Sequence, residues 1–439
     1  MVSTTIHSQK QIIIVGGGFG GIRCALELAK NNISCAKITL ISDKPYFEYK
    51  PALYRVVTGR SEQEACVSIA EIFKNKPVEF MQDRIVSIDG SAKQITGQSG
   101  KIYPFDFLAL ALGAETDYFS ISGLKEFSYC FKAIPDALRL RRHIHEMFRR
   151  CTERQDDAEE DVCRLHFVVV GAGSSGVEAA GELVYYAKRL AKTHGIDSSF
   201  VTVDLIEASP RILPMVPEKF SSRVANRLRS LGVNIFTNRP MGKEEAEQIT
   251  VRGMTMKTDT VIWTAGVKPN HLYSQTKNLL YGDDGKIRVD EYLRPRGLDD
   301  FFIIGDGAAT PHSGFAQTAN ADGKFVAENI RRALKGESLK KYYPKKPASI
   351  IPVGPGWAAA SVGPFIFYGI FSWILRRAAD FRYFVSVIGW RKTLKVFFAK
   401  QLNNKRRRSK RWIKKVCCGK SGKTKWFSCN FGFPIFTET

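Results

Sequence analysis

The sequence predicts an α/β protein with two Rossmann-like units and a C-terminal amphipathic segment. Two observations predict the units: a glycine-rich turn between an apolar strand and a helix occurs twice, and each helix is followed by a further strand. A third observation, a C-terminal region rich in aromatic and basic residues, predicts the last segment. The chain has 439 residues, which exceeds one typical core, so we expect two or three domains.

The first unit begins with strand Gln11–Val15, and a glycine-rich turn follows it directly. Gly16, Gly18 and Gly21 satisfy the pattern GxGxxG in this turn. The first glycine of that pattern permits the turn, the second lets the backbone approach a pyrophosphate, and the third lets the helix pack closely. The helix N-terminus adds N–H donors for phosphate. Asp43 is the acid that the pattern expects after the next strand.

The second unit repeats the same order. Strand His166–Val170 leads into a turn in which Gly171, Gly173 and Gly176 again satisfy GxGxxG. Glu207 ends the following strand, where a carboxylate accepts hydrogen bonds from a ribose 2′-hydroxyl and repels a 2′-phosphate. Two such patterns in one chain predict two dinucleotide sites, the second with a preference for NADH over NADPH. Taken alone, Glu207 is as compatible with a solvated acid at a strand end.

Three more apolar strands end in glycine turns, at Gly113, at Gly266 and at Gly305. Each turn, taken alone, is more often an ordinary loop. Asp306 follows the third strand and lies close in sequence to a helix that begins near Gln317. An acid in that position can bind the hydroxyls of a ribityl chain.

In their order and spacing these motifs resemble the two-dinucleotide-binding-domain flavoproteins, and among them the type II NADH dehydrogenases, which are non-pumping NADH:quinone oxidoreductases. The resemblance covers nearly the whole chain and rests on IIIVGGGFGGIRCALEL, KPYFEYKPALYRVVTG, LALALGAETDYFSISGL, FVVVGAGSSGVEAAGEL, DLIEASPRILP, VIWTAGVKPN, FFIIGDGA and GFAQTANADG. It implies an FAD-binding domain over 1–120 and 271–345, an NADH-binding domain over 121–270, and a membrane-association region over 346–439. It also implies hydride transfer from NADH to FAD N5, and then transfer of two electrons to a membrane quinone.

The resemblance further implies roles for individual residues. Contacts to non-covalently bound FAD are implied for Gly16, Gly18, Gly21, Asp43, Gly113, Ala265, Gly266, Gly305, Asp306 and Ala316. Contacts to NADH are implied for Gly171, Gly173, Gly176 and Glu207. The implied catalytic residues are Glu178, near the nicotinamide and quinone, and Gln317, near the quinone; without the resemblance Glu178 would be assigned to a helix surface. The chain departs from the family where an acid or glutamines are usual, at Ser42, Ala321 and Asp322.

Positive charge is concentrated near the C-terminus. The net charge is +23, and residues 376–425 contain 18 Lys or Arg and one acid. Aromatic residues lie between several of these cations, which favours the headgroup layer of an anionic membrane and disfavours nucleic acid as the partner. No uninterrupted apolar stretch is long enough to span a bilayer and no cleavable signal is evident. We therefore expect a peripheral protein on the cytoplasmic face of the cell membrane, and the sequence leaves a homodimer open.

Cysteine spacing separates the remaining classes. The nine cysteines include no CxxC pair and no metal-binding spacing, so we expect free thiols and no metal site. A sulfide:quinone oxidoreductase, the main alternative, would use redox cysteines beside the flavin, but the sequence has none from Asp204 to Val416. A third alternative is an apoptosis-factor-like NAD(P)H flavoprotein with a nucleic-acid-binding tail. Binding to liposomes or to DNA distinguishes the membrane-associated NADH:quinone oxidoreductase from the flavoprotein with a nucleic-acid-binding tail.

Overall fold

The structure is a computed structural model that describes residues 9–30, 33, 35–153 and 165–397. Its strands are β1 (Lys10–Val15), β2 (Ala36–Ser42), β3 (Tyr46–Glu48), β4 (Cys66–Ser68), β5 (Glu79–Gln82), β6 (Ile85–Asp89), β7 (Gln94–Gly97), β8 (Ile102–Pro104), β9 (Phe107–Leu110), β10 (Ala114–Thr116), β11 (His166–Val170), β12 (Thr202–Ile206), β13 (Val233–Phe236), β14 (Met241–Glu245), β15 (Gln248–Val251), β16 (Met254–Lys257), β17 (Thr260–Trp263), β18 (Val267–Pro269), β19 (Phe301–Ile303), β20 (Ser349–Pro352), β21 (Ala358–Val362) and β22 (Phe365–Gly369). Its helices are α1 (Phe19–Lys30), α2 (Leu53–Val57), α3 (Ile69–Ile72), α4 (Leu124–Phe127), α5 (Ile134–Glu153), α6 (Ser174–His194), α7 (Glu218–Leu231), α8 (His271–Gln275), α9 (Ala316–Leu334), α10 (Ile370–Ile388) and α11 (Trp390–Phe397).

The first unit is a parallel sheet with strand order β19-β9-β1-β2-β5. Its inner strands are apolar and buried because helices or other strands cover both faces. The chain leaves β1 for β2 on one side, while β9 pairs with β1 on the other side, so the C-terminal ends of β1 and β9 form a topological switch point. Helix α9 packs closely on α1, since a Cβ on Gly323 would lie 2.3 Å from the carbonyl oxygen of Gly20.

The second unit is a parallel sheet with strand order β13-β12-β11-β17. The antiparallel strands β14, β15 and β16 share a hydrophobic core with this sheet around Trp263. Helices α6 and α7 contact the strands β11, β12 and β13. The two parallel sheets confirm the α/β class and the two Rossmann-like units that the sequence predicts.

A short antiparallel ladder joins the C-terminal ends of the two sheets. Strand β10, which follows β9, pairs with β18, which follows β17. Glu115 is paired with Lys268 in the middle of this ladder. Just beyond it, the N–H of Asn270 donates to the carbonyl of Gly113 at 3.2 Å. The backbone therefore fixes the two C-terminal edges next to each other.

The C-terminal part consists of the antiparallel sheet β20-β21-β22 and the helices α10 and α11. Helix α10 is amphipathic: Ser372, Asp380 and Phe384 are buried, whereas Ile370 and Phe371 are exposed. In the described part of the chain no helix is long and apolar enough to cross a membrane. The polybasic stretch after Phe397 lies outside the described residues.

An ion pair between the first residue of β11 and the middle residue of β12 connects fold stability to pH. The two ring nitrogens of His166 face acceptors, Nδ1 the carbonyl of Lys257 at 2.8 Å and Nε2 the carboxylate of Asp204 at 2.9 Å. Both nitrogens can donate only in the imidazolium form. Burial disfavours that charge, but the hydrogen bond and charge of Asp204 outweigh burial and raise the pKa of His166.

We predict that His166 stabilises the fold below neutral pH and less so in alkaline solution. Because its folded pKa is raised, its stabilisation is complete below the unfolded pKa of about 6.5 and is lost as pH rises through the folded pKa. His166→Gln should reduce the free energy of unfolding by about 1.5–3 kcal/mol at pH 5.5 to 6, and by less at alkaline pH.

Urea unfolding at several pH values measures this difference, with His143→Gln as the matched control. Burial lowers the pKa of His143 to about 4, below the unfolded pKa of about 6.5, so the cost of replacing this ring should change in the opposite direction and fall as the pH drops below about 6.5. A cost of His166→Gln that does not change with pH would contradict the prediction.

Candidate functional site

The two glycine-rich turns have the same steric construction at the first glycine. Gly16 and Gly171 have φ angles of +116° and +99°, which favour glycine. A Cβ on Gly16 would lie 2.2 Å from the carbonyl oxygen of Ala111, and one on Gly171 would lie 2.6 Å from Cα of Ala265. Each first glycine therefore lets its turn lie against the end of a neighbouring strand segment.

The second and third glycines of each turn also correspond. A Cβ on Gly21 or Gly176 would lie 1.9 or 1.8 Å from the carbonyl oxygen of the first glycine of its turn, so only glycine fits there. By contrast, a Cβ on Gly18 or Gly173 would meet no atom within 4 Å. Open space above the second glycine, at the N-terminus of α1 or α6, fits the pyrophosphate of a dinucleotide. The residues present therefore fit two such groups, one for each sheet.

Glu207 lies directly at the second turn. Its carboxylate accepts hydrogen bonds from the N–H groups of Ala172 at 2.7 Å and Ser209 at 2.8 Å. The bond to Ala172 joins the acid to the residue between the first two glycines of the pattern. Glu207 therefore lies beside the second glycine turn, and its contact with a ribose stays a prediction.

The first turn has a serine at the corresponding position. The N–H of Gly16 donates to Ile41, just as the N–H of Gly171 donates to the last residue of β12, so Ser42 corresponds to the acid of the second turn. Ser42 is buried, and a Cβ on Gly17 would lie 2.7 Å from its Oγ. Asp43 is exposed and forms an ion pair with Arg84 at 3.5 Å. Asp43, the predicted ribose contact, therefore lies one residue after the position that corresponds to Glu207.

The Gly305 turn lies at the same edge of the first sheet, after β19. Asp322 is fully buried and accepts hydrogen bonds from the N–H of Gly305 at 3.0 Å and from the Tyr342 hydroxyl. Burial raises the pKa of Asp322 to about 6. Asp322, at a position where the chain departs from the family pattern, thus anchors the turn that carries Asp306. Ala321, the neighbouring departure, is exposed on the surface of the helix. Ala316 begins helix α9 at the same edge.

Glu178, one of the two predicted catalytic residues, lies in a buried charge cluster. Its carboxylate pairs with the guanidinium of Arg376 at 3.2 Å. Burial raises the pKa of Glu178 to about 7, against the opposing charges of Arg376 and Arg55. The carboxyl group can therefore gain or lose a proton near neutral pH.

Arg376 connects its own helix α10 to three other segments of the chain. Its Nη1 donates to Glu178 and, at 2.7 Å, to the carbonyl of Ile350. Its Nη2 donates to the carbonyl of Pro51 at 3.1 Å, and its Nε donates to Asp380 at 3.1 Å. The second carboxylate oxygen of Asp380 accepts from Arg55 at 3.0 Å.

Gln317, the other predicted catalytic residue, meets the same region from helix α9. Its side-chain amide donates to the carbonyl of Ala348 at 2.9 Å and accepts from the N–H of that residue at 3.2 Å. Because Arg376 binds Ile350, the segment 348–350 connects both predicted residues. The structure brings them to one segment, although it shows no direct hydrogen bond between them in the described residues.

Sequence reasoning missed Arg376, Asp380 and Arg55. Arg376 lies among many cations in the sequence, where ordinary solvation is the usual expectation, and Arg55 belongs to none of the recognised motifs for a charged site. One signal was available: Asp380 is the single acid among 18 cations, and it follows Arg376 by four residues, one helical turn. An isolated acid of this kind indicates a fixed partner for a nearby arginine.

Comparisons with known proteins find related sequences. Residues 10–323 match the family described as pyridine nucleotide-disulphide oxidoreductase. Type II NADH:quinone oxidoreductases of Staphylococcus saprophyticus and Staphylococcus aureus are 28% and 29% identical to the chain over 349 residues, which cover 76% of this chain and 85% of each relative.

Two solved structures show the same fold. The NDH2 of Plasmodium falciparum in complex with NADH has a TM-score of 0.81 at 19% identity, and the match covers 90% of this chain and 100% of that one. The sulfide:quinone oxidoreductase of Aquifex aeolicus has a TM-score of 0.72 at 20% identity, with coverage of 89% and 96%. At 19% and 20% identity, these two matches show a shared fold.

We predict that Arg376→Ala destabilises the protein much more than Arg377→Ala. The Arg376 side chain is 14% exposed and pairs with two buried carboxylates, so its loss should cost about 3–5 kcal/mol of unfolding free energy. The Arg377 side chain is 26% exposed and lies 3.7 and 3.8 Å from its carboxylates, so its loss should cost less. Urea unfolding of both variants measures the difference, and equal losses would contradict it.

Proposed function

Because the chain belongs to the pyridine nucleotide-disulphide oxidoreductase family, we propose that it is an FAD-dependent NADH:quinone oxidoreductase. The observation that carries the proposal is the pair of matched glycine turns, each with open space above its second glycine. One turn would bind FAD and the other NADH. The curated relatives, which are named type II NADH:quinone oxidoreductases, support quinone as the acceptor.

In this proposal the first sheet holds FAD without a covalent bond. Residues 1–120 and 271–345 would form its domain, which agrees with the strands that make up the first sheet. The proposed contacts lie at or beside the C-terminal edges of the two sheets, at Gly16, Gly18, Gly21, Asp43, Gly113, Ala265, Gly266, Gly305, Asp306 and Ala316. The Gly305 turn, which Asp322 anchors, would present Asp306 to the ribityl chain.

The second sheet would hold NADH within residues 121–270. Gly171, Gly173 and Gly176 would bind the pyrophosphate at the N-terminus of α6. Glu207 is already fixed by two backbone N–H groups, so its remaining lone pairs can accept from a ribose 2′-hydroxyl. The same charge would repel a 2′-phosphate, which favours NADH over NADPH.

When bound, FAD would accept a hydride from NADH at N5 and pass two electrons to quinone, without proton pumping. Glu178 can hold a proton near neutral pH, and the resemblance implies that it lies near the nicotinamide and the quinone. Arg376 keeps that carboxylate oriented, and the amide of Gln317, fixed to Ala348, would position the quinone.

We predict that two valine substitutions separate the two dinucleotide sites. Gly18→Val and Gly173→Val should both fold, because a Cβ at either position meets no atom within 4 Å. Gly18→Val should purify without FAD, since its side chain occupies the proposed pyrophosphate space. Gly173→Val should keep FAD but be reduced by NADH at least about 100-fold more slowly.

The measurements are the flavin released on denaturation, anaerobic bleaching by NADH, NADPH and sulfide, and quinone reduction with NADH. Wild-type protein without FAD, or a strong preference for NADPH, would overturn the assignment of the sites. Bleaching by sulfide in place of NADH would favour the sulfide:quinone alternative. Loss of FAD from both variants would contradict the proposed division between the two turns.

We further propose that an aromatic edge docks the protein on an anionic membrane surface at the cytoplasmic face. This aromatic edge comprises Phe365 and Phe367 of β22 together with Ile370, Phe371 and Ile374 of α10. Phe365 and Phe371 are 64% and 62% exposed, and ring contacts connect Phe365 to Phe367 and Phe367 to Phe371. Exposed aromatic side chains of this kind suit the headgroup boundary.

We predict that Phe365→Glu/Phe371→Glu releases the protein from anionic liposomes. Phe127→Glu/Phe200→Glu, which introduces the same two charges at exposed phenylalanines of the second unit, is the matched control and should still bind. Residues 398–425, outside the described part, should contribute about 1 kcal/mol for each charge near the surface, and salt should screen that contribution.

Co-sedimentation with anionic liposomes at low and high salt measures binding, and bleaching by NADH checks that both variants keep an intact flavin site. Unchanged sedimentation of Phe365→Glu/Phe371→Glu at low salt would contradict docking by the aromatic edge.

A further inference from the structure

Lys132 is a partly buried cation at the C-terminal edge of the second sheet. It lies just before α5, and its Nζ donates a hydrogen bond to the carbonyl of Gly266. Gly266 follows the end of β17 and leads into β18 of the ladder that joins the two sheets. The hydrogen bond therefore fixes a positive charge at the junction between the two proposed dinucleotide sites.

The charge of Lys132 is incompletely compensated by its surroundings. The ammonium donates to a neutral carbonyl, and the carboxylates of Asp117 and Asp306 act on it through their charge. Burial lowers the pKa of Lys132 to about 8, and the nearby ammonium of Lys50 lowers it further, while Cys130 and the two carboxylates oppose that change. Because this pKa lies above 7, most of the population keeps the charge at neutral pH.

We propose that Lys132 stabilises FAD in its reduced form. The inference rests on the proposed function and deepens it. A hydride carries two electrons and one proton, so its transfer adds one negative charge to the cofactor and leaves NAD⁺. The resemblance places Gly266 beside the ring that receives the hydride, and a cation fixed on that carbonyl would lower the free energy of the charged product.

The geometry also explains why a hydrogen bond to a carbonyl suits this role better than an ion pair. A carboxylate in contact with Nζ would cancel most of the charge felt by the cofactor. The carbonyl of Gly266 fixes the position of Nζ and leaves its net charge intact. Asp306, which the same proposal assigns to the ribityl chain, contributes attraction from the first sheet.

Titration of the purified holoenzyme with a chemical reductant, without NADH or quinone, tests the inference through the midpoint potential of the flavin. Lys132→Met should shift the potential to a more negative value, equivalent to about tenfold or more in the reduction equilibrium. Lys132→Arg should keep the wild-type potential. Lys125→Met, which removes a charge from an exposed position on α4, should keep it as well. Lys132→Met with bound FAD and a wild-type potential would overturn the inference.

The pH course of the wild-type potential provides a second test, which stands even where Lys132→Met fails to retain FAD. Above about pH 8, Lys132 is mostly neutral before reduction and must take up a proton as the cofactor gains charge. The potential should therefore fall more steeply with pH above that value than below it, and a constant slope through pH 9.5 would overturn the inference. Wild-type protein that holds no FAD would instead overturn the proposed function.

Discussion

The guanidinium of Arg376 is the point at which helix α10 meets three other segments of the chain. A buried guanidinium requires partners for its donors, and Arg376 finds them on Pro51, Glu178, Ile350 and Asp380. Because one group contacts all four, the position of α10 and the environment of the Glu178 carboxylate cannot change independently. The C-terminal region is in this respect part of the site, although the glycine turns lie far from it in sequence.

The sequence was informative about the two sheets because the demands of a GxGxxG turn are local. The nearest atom to a Cβ on Gly21 or Gly176 lies five residues away, so the third glycine follows from the motif itself, whereas the first glycine also depends on a distant residue, Ala111 or Ala265. The acid after the second strand is less local. Strand pairing decides which residue ends beside the turn, and the structure gives that position to Ser42 in one unit and to Glu207 in the other.

The candidate site was only partly predictable for the same physical reason. Glu178 and Gln317 were available through resemblance, but Arg376 pairs with a residue 198 positions away, which no local pattern encodes. Asp322 shows the opposite difficulty. In the sequence it is a departure from the glutamine expected near the quinone, whereas in the fold it is buried and anchors the Gly305 turn. Tertiary contacts determined the role of each residue.

The ladder between β10 and β18 has a consequence for how such a protein diverges. Main-chain hydrogen bonds, which every residue except proline can donate, hold the two sheet edges together. Exposed side chains of the ladder such as Val267 and Lys268 can therefore change during evolution while the spacing between the edges is inherited unchanged. A lineage could then alter the surrounding loops without altering the distance between the C-terminal edges of the two sheets.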